Sequence, residues 1–139
     1  MNQRTSISAT LIPEQDRLNF TAKLFGVHYP FKLEPLIFQT ADSLSTEYDG
    51  GFWEFYSLSN GGFYMAPVAD KPYLIESPNG HVCYLSPDAF GITCCLFAYS
   101  MLSFEGTPGF SVKCAEHFHL LREYMLDHAE AGGILGAVD

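Results

Sequence analysis

His117 and His119 are the first residues in this sequence that invite a chemical reading. Together with His81, His128 and Glu116 they have the side chains of a metal site. Their spacing argues against one. Residues two apart on a helix point to different sides, whereas helical metal pairs stand three or four apart. His117 is expected at the edge of the core and His119 at the surface, with no metal and no other cofactor. The cysteines are Cys83, Cys94, Cys95 and Cys114, a spacing that matches neither a CxxC pair nor a zinc finger. A nucleophilic thiol needs a base or a cation within reach, yet no charged residue stands between Asp88 and Glu105. Cys94 and Cys95 therefore read as small hydrophobes in a reduced, cytoplasmic protein. There is no G-x-S-x-G elbow, P-loop or G-x-G-x-x-G fingerprint. Glu54 and Glu76 would form an acid–base pair if two strands met, but a solvated strand face accounts for them as well. No residue set here defines a catalytic site.

Residues 1–12 read as a flexible arm and 13–139 as one domain. Pro13, Glu14 and Asp16 suit the start of a helix whose buried face is Leu18, Ala22 and Phe25, ended by Gly26. A second helix over 33–47 carries the stripe Leu33, Ile37, Ala41, Leu44 and Tyr48, with Pro35 in its first turn. The pattern then changes to strands. Phe52–Tyr56 and Gly62–Ala66 flank Asn60-Gly61, a strong hairpin signal because both turn residues tolerate positive φ. Tyr73–Glu76 and Val82–Leu85 flank Ser77-Pro78-Asn79-Gly80 in the same way. Two successive hairpins predict a four-stranded antiparallel meander. Ser86-Pro87-Asp88 then opens a helix over 87–104 that is apolar almost all round, hence central and buried. A last long helix over 110–128 buries Phe110, Cys114, Phe118, Leu121, Met125 and His128, and Gly132-Gly133 weaken helicity before a docked apolar tail. Helices, then strands, then helices predict an α+β single domain, a four-stranded antiparallel meander sheet packed against several α-helices.

The chain has 139 residues, 47% hydrophobic and 17% charged, which excludes intrinsic disorder. No apolar run reaches the roughly 18 residues of a membrane span, and no secretory signal is visible, so no membrane partner is expected. Sixteen acidic against seven basic residues give a net charge of −9, so no strong direct nucleic-acid binding is expected. Close mimicry of DNA fails on magnitude. A domain of this size covers roughly 35 Å of duplex, which presents about 20 phosphate charges, more than the 16 acidic residues on the whole chain. Nothing in the sequence signals an oligomeric state.

One stretch carries more information than its periodicity. Tyr48-Asp49-Gly50-Gly51-Phe52-Trp53-Glu54-Phe55-Tyr56-Ser57-Leu58-Ser59-Asn60-Gly61-Gly62-Phe63-Tyr64-Met65-Ala66-Pro67 resembles the signature of the KlcA/ArdB antirestriction family. The helix containing Asp88-Ala89-Phe90-Gly91-Ile92 and the end from Leu120 to Asp139 resemble the family's central helix and C-terminus, so the likeness spans residues 13–139. Cys94-Cys95 and the loop after Ser103 are individual to this chain. The resemblance implies a protein of plasmids, phages and prophages that protects incoming mobile-element DNA from host type I restriction–modification enzymes. It implies no enzymatic activity, and partners that are the restriction enzyme or a host factor controlling it. The alternative is a small enzyme, in one version metal-dependent, acting on the same targets. Alternation along the strands places Trp53, Phe55, Phe63 and Met65 under the helices, and a one-residue change of register would reverse the two faces. Phe52, Glu54, Tyr56 and Tyr64 then face solvent as candidate interaction residues, joined by Asn60 in the turn and by the closing Asp139.

Overall fold

Ser86 starts the helix around which the other elements are arranged. Its hydroxyl accepts the Ala89 N–H at 3.1 Å, and Pro87 and Asp88 occupy the first turn. In the computed structural model, which describes residues 6–139, this helix, α3, spans Pro87–Ser103. Every residue from Ala89 to Leu96 on it is buried. Ahead of it run β1 (Ala9–Leu11), a 3-10 turn (Glu14–Asp16), α1 (Arg17–Phe25), a π-helical turn (Tyr29–Leu33) and α2 (Glu34–Leu44). The strands β2 (Trp53–Leu58), β3 (Phe63–Pro67), β4 (Tyr73–Glu76) and β5 (Val82–Leu85) follow, and α4 (Phe110–Met125) and α5 (Ala131–Val138) close the chain.

The architecture is α+β in one domain, and both hairpins form where their turn residues place them. β2 pairs with β3 in the register Phe55↔Met65 and Tyr56↔Tyr64, and Gly61 in the turn has φ 93°. β4 pairs with β5 through Tyr73↔Leu85 and Ile75↔Cys83. The hairpins do not join into the expected four-stranded meander. They belong to two sheets, β1-β2-β3 and β4-β5. The reason lies at the outer edge of β3, where the carbonyls of Phe63 and Met65 point away from β2. Tyr99 donates its hydroxyl to the Phe63 carbonyl at 2.8 Å, and the Cys95 thiol lies 3.6 Å from that of Met65. The central helix thus caps the edge that β4 would have needed. Pro67, the last residue of β3, has no N–H to offer on that outer edge.

The approach of α3 to β3 is close enough to require a specific residue. A Cβ on Gly91 would stand 2.4 Å from the Ala66 Cα and from the Met65 carbonyl oxygen, both backbone atoms that cannot swing away. β3 is buried along its whole length in consequence.

Further expectations change: the helix read over 33–47 ends at Leu44 and the one over 110–128 at Met125. Within the predicted flexible arm 1–12, Ala9–Leu11 pair with Leu58–Tyr56 as an edge strand, while residues 1–5 lie outside the described residues. α1 begins at Arg17 and buries Thr21 and Phe25, leaving Leu18 83% exposed and Ala22 exposed as well. Thr21 can be buried because its hydroxyl bonds the Arg17 carbonyl at 3.0 Å. Gly132 and Gly133 lie inside α5 rather than before it. Tertiary packing overrides their low propensity: a Cβ on Gly133 would meet Leu85 at 2.9 Å and one on Gly136 the His81 ring at 2.5 Å, so the helix can lie close on β5.

These packings predict opposite effects for one substitution made at two places. Gly91→Ala should lower unfolding free energy in urea by about 3 kcal/mol or more, from overpacking against backbone. Gly132→Ala, with nothing within 4 Å of the new Cβ, should raise it by roughly 0.5–1 kcal/mol through helix propensity.

Candidate functional site

The strand alternation places the predicted side chains on the expected faces, but one face is not open to solvent. Trp53, Phe55, Phe63 and Met65 are buried as predicted. On the other face Tyr56 stacks on Tyr64 with ring centroids 4.9 Å apart, and Tyr64 stacks on Tyr124 of α4 at 5.8 Å. That column leaves Tyr64 only 1% exposed, which corrects its assignment to the solvent face. The helix pair α3–α4 covers the strand on this side, a tertiary fact that period-two alternation does not encode.

Tyr64 leads into a polar chain. Its hydroxyl donates to Asp88 Oδ1 at 2.7 Å, and Asp88 Oδ2 lies 2.8 Å from His128 Nε2. His128 Nδ1 accepts the Glu130 N–H at 3.0 Å, so the hydrogen-bond pattern assigns the proton to Nε2. Glu130 reaches back to the N–H of Ser86 at 2.8 Å and to its hydroxyl. This network clamps the N-terminus of α3 to the turn between α4 and α5. Both ring nitrogens of His128 are engaged, so the imidazole holds no free lone pair to serve as a base. Burial first, and the Asp88 carboxylate second, push the Tyr64 phenol up, keeping it a donor. Glu54 accepts the Tyr56 hydroxyl at 2.7 Å, and Tyr56 is raised by burial and then by that bond. Glu54 and Tyr56 are both half-buried.

Asn60 holds the turn rather than projecting from it. Its amide donates to the Leu120 carbonyl at 2.9 Å and accepts from the Gly62 N–H at 3.0 Å, which pins the β2–β3 hairpin to α4. Asp139 is exposed at the C-cap of α5, its N–H bonded to the Leu135 carbonyl at 2.9 Å. A carboxylate there meets the negative end of the helix dipole, so helix stability does not explain it.

Phe52 does face solvent, 51% exposed, and it borders a feature that the sequence did not show. The Arg17 guanidinium lies over the Phe52 ring at 4.8 Å and over the Phe55 ring at 4.4 Å. It forms no ion pair among the described residues, and its Nε is buried without a partner. Beside it runs a mainly apolar groove of about 500 Å³ between α1, the π-helical turn and β2. Leu18, Val27, Tyr29, Glu34 and Phe55 line it, with the Tyr29 hydroxyl bonded to Glu34 at 2.9 Å. A groove of this size, with exposed apolar rims and one cation held flat by two rings, suits burial of a partner's apolar side chain beside an acidic one. Sequence reasoning missed Arg17, and it placed Leu18 in the core. Helical period gives no warning of this, because Leu18 stands three and seven residues from the buried Thr21 and Phe25 and shares their face.

The residues first considered for chemistry are occupied by packing. His117 is 2% exposed, its ring 4.8 Å from Phe25 and 5.7 Å from Tyr99, while His119 is exposed. Burial lowers His117 to about 4, with Lys113 adding to the effect. Burial pushes Cys95 and Cys114 up to about 12 and Cys94 well above the usual thiol range. Glu54 and Glu76 lie in separate sheets. Among the described residues no group of three or more His, Cys, Asp or Glu is placed to hold a metal, and no helix is long and apolar enough to cross a membrane.

An α+β domain in which a central helix caps the edge of an aromatic hairpin defines a distinct class. The chain belongs to the antirestriction protein family, whose model matches residues 46–139. Among its relatives, antirestriction protein KlcA of Escherichia coli is 43% identical over 138 residues, covering 96% of this chain and 94% of that one. A second KlcA from Escherichia coli is 35% identical, covering 99% and 98%. A solved structure of the KlcA and ArdB proteins matches with a TM-score of 0.91 at 35% identity over 100% of both chains. Those proteins are described as showing a novel fold and antirestriction activity against Type I DNA restriction systems in vivo but not in vitro.

The buried His117 makes stability depend on pH in a stated direction. From pH 6.5 down to about 4 the unfolded chain takes up a proton that the native imidazole refuses, so this residue reduces stability as pH falls. The full loss is about 3 kcal/mol. His117→Phe, which keeps a ring between Phe25 and Tyr99, should be more stable than the parent at pH 4.5 by more than it is at pH 7.5. Equal differences in urea unfolding at the two pH values would remove His117 as the cause.

Proposed function

We propose that this protein relieves type I restriction of incoming mobile-element DNA inside the cell, and that it does so by protein contact rather than by catalysis or by imitating DNA. The observation that carries the reading is the full-length likeness, at a TM-score of 0.91, to proteins active against type I systems in vivo but not in vitro. Activity that needs the cell points to a cytoplasmic host component controlling the restriction enzyme, absent when the enzyme is purified. The site chemistry agrees with contact. His128 has both nitrogens engaged and the buried thiols are held protonated. What the surface offers is the groove lined by Leu18 and Val27, the exposed Phe52 beneath Arg17 at its side, and Asp139 at the end of α5. The charge balance supports contact over close mimicry of a duplex, since 16 acidic residues are offset by seven basic ones.

Unmodified phage should plate efficiently on a type I restricting strain that expresses the protein, with no gain on a type II restricting strain. Failure of soluble protein to restore plating sinks the antirestriction reading for this chain. Leu18→Ser combined with Phe52→Ala should leave thermal unfolding nearly unchanged, because both side chains are mostly exposed, and should reduce protection by about tenfold, as loss of an apolar anchor does. Asp139→Asn should slightly stabilise α5 and weaken protection, separating its role in contact from any role in folding.

A further inference from the structure

The β4–β5 ribbon has two edges, and the fold occupies the middle of one of them. Ser77 donates its N–H to the His81 carbonyl at 2.9 Å, which sets the ladder. Ile75↔Cys83 and Tyr73↔Leu85 then exchange bonds across the ribbon, while Leu74, Glu76, Val82 and Tyr84 turn their backbone groups outward. On the β4 side those of Leu74 are satisfied. The Leu74 N–H bonds Glu47 Oε1 at 2.6 Å, and its carbonyl accepts the Ser45 hydroxyl at 2.6 Å. On the β5 side the outward N–H and C=O groups of Val82 and Tyr84 have no partner among the described residues. Their side chains are 57% and 62% exposed. The strand Val82-Cys83-Tyr84-Leu85 also lacks the lysine or proline by which open edges are usually protected. Carboxylates bound it. Glu130 holds the next outward N–H, that of Ser86, at 2.8 Å, and Glu76 stands opposite Val82.

We infer that the open edge of β5 is a strand-addition site for a partner protein. The occupant is an extended segment with uncharged residues beside Val82 and Tyr84 and Lys or Arg at its ends, near Glu76 and Glu130. A row of unpaired backbone donors and acceptors is matched by extended backbone, not by a helix or a small apolar molecule. Carboxylates at both ends, on a chain of net charge −9, select a basic segment. A second copy fits poorly. It would bring two chains of charge −9 together edge to edge, with the carboxylates that bound one strand facing those that bound the other. The inference deepens the protein-contact reading above by naming a surface and the chemistry of what it takes.

Two measurements test it. In the first, the capped peptide Lys-Thr-Val-Thr-Val-Lys is titrated to millimolar concentration into the full-length protein while backbone amides are followed by NMR. The Val82 and Tyr84 amides should shift and gain protection from exchange, and Val82→Pro should abolish the effect. Proline is tolerated at that position because the Val82 N–H has no partner in the fold. In the second, Val82→Pro is compared with the parent in the phage-plating assay. It should unfold at nearly the parent temperature yet protect less by about tenfold, as expected for a lost pairing hydrogen bond and its stranded acceptor. Leu11→Pro, at the outward edge of β1, is the matched control and should protect like the parent. No protection of the two amides, or full activity of folded Val82→Pro, overturns the strand-addition site. Amides already protected in a concentration-dependent way without peptide overturn it in favour of a second copy. Failure of the parent to restore plating defeats the antirestriction reading instead, and the NMR titration then decides the edge alone.

Discussion

The rest of the structure depends on the contact of α3 with β3. A glycine at position 91 lets the helix lie directly on the backbone of Met65 and Ala66, and Tyr99 and Cys95 then reach the carbonyls on the outer edge of the strand. Helix and strand are both buried as a result, and burial of this much apolar surface is the main favourable term in folding. The same contact decides the topology. With its edge capped by a helix, β3 cannot pair with β4, so the second hairpin forms its own ribbon and packs against α5.

A second consequence is that much of the polarity in and around the hairpin is spent inside the molecule. Asp88 sits in the first turn of α3, where a carboxylate suits the helix dipole, and from there it binds both Tyr64 and His128. Glu130 closes the chain onto Ser86, the cap of the same helix. Asn60 ties the hairpin turn to α4. Buried polar groups satisfied in this way specify one arrangement of strands and helices, since any other would strand a donor or acceptor in low dielectric. An acid, an imidazole and a phenol within hydrogen-bond reach would otherwise read as a reaction centre. With both nitrogens of His128 engaged and the Tyr64 phenol held protonated, they are a clamp.

Among the described residues this frame leaves open an apolar groove with one flat-held cation and a strand edge with outward backbone groups. Neither resembles a duplex of phosphates, and neither holds an activated nucleophile. The protein-contact reading proposed above rests on these surfaces and on the likeness to the KlcA and ArdB proteins, described as active in vivo but not in vitro.

Local chemistry makes part of this fold legible in the residues alone. Asn60-Gly61 and Asn79-Gly80 mark both hairpins because each glycine takes the positive φ and each asparagine oxygen accepts the backbone N–H two residues on, and Ser86-Pro87-Asp88 marks the start of the central helix. The apolar stripe Leu33, Ile37, Ala41 and Leu44 finds the buried face of α2, and the signature from Tyr48 to Pro67 finds the family. All of these rest on interactions within a few residues, or on a pattern long enough to be specific. Other features require distant segments to meet. Tyr64 alternates correctly yet is covered by Tyr124, sixty residues on. Arg17 finds its two phenylalanines across more than thirty residues, and Gly133 and Gly136 are helical because Leu85 and His81 leave room for nothing larger. Periodicity says which side of a strand or helix a residue occupies. Only the packed structure decides whether that side meets water, another ring or the backbone of a neighbouring strand.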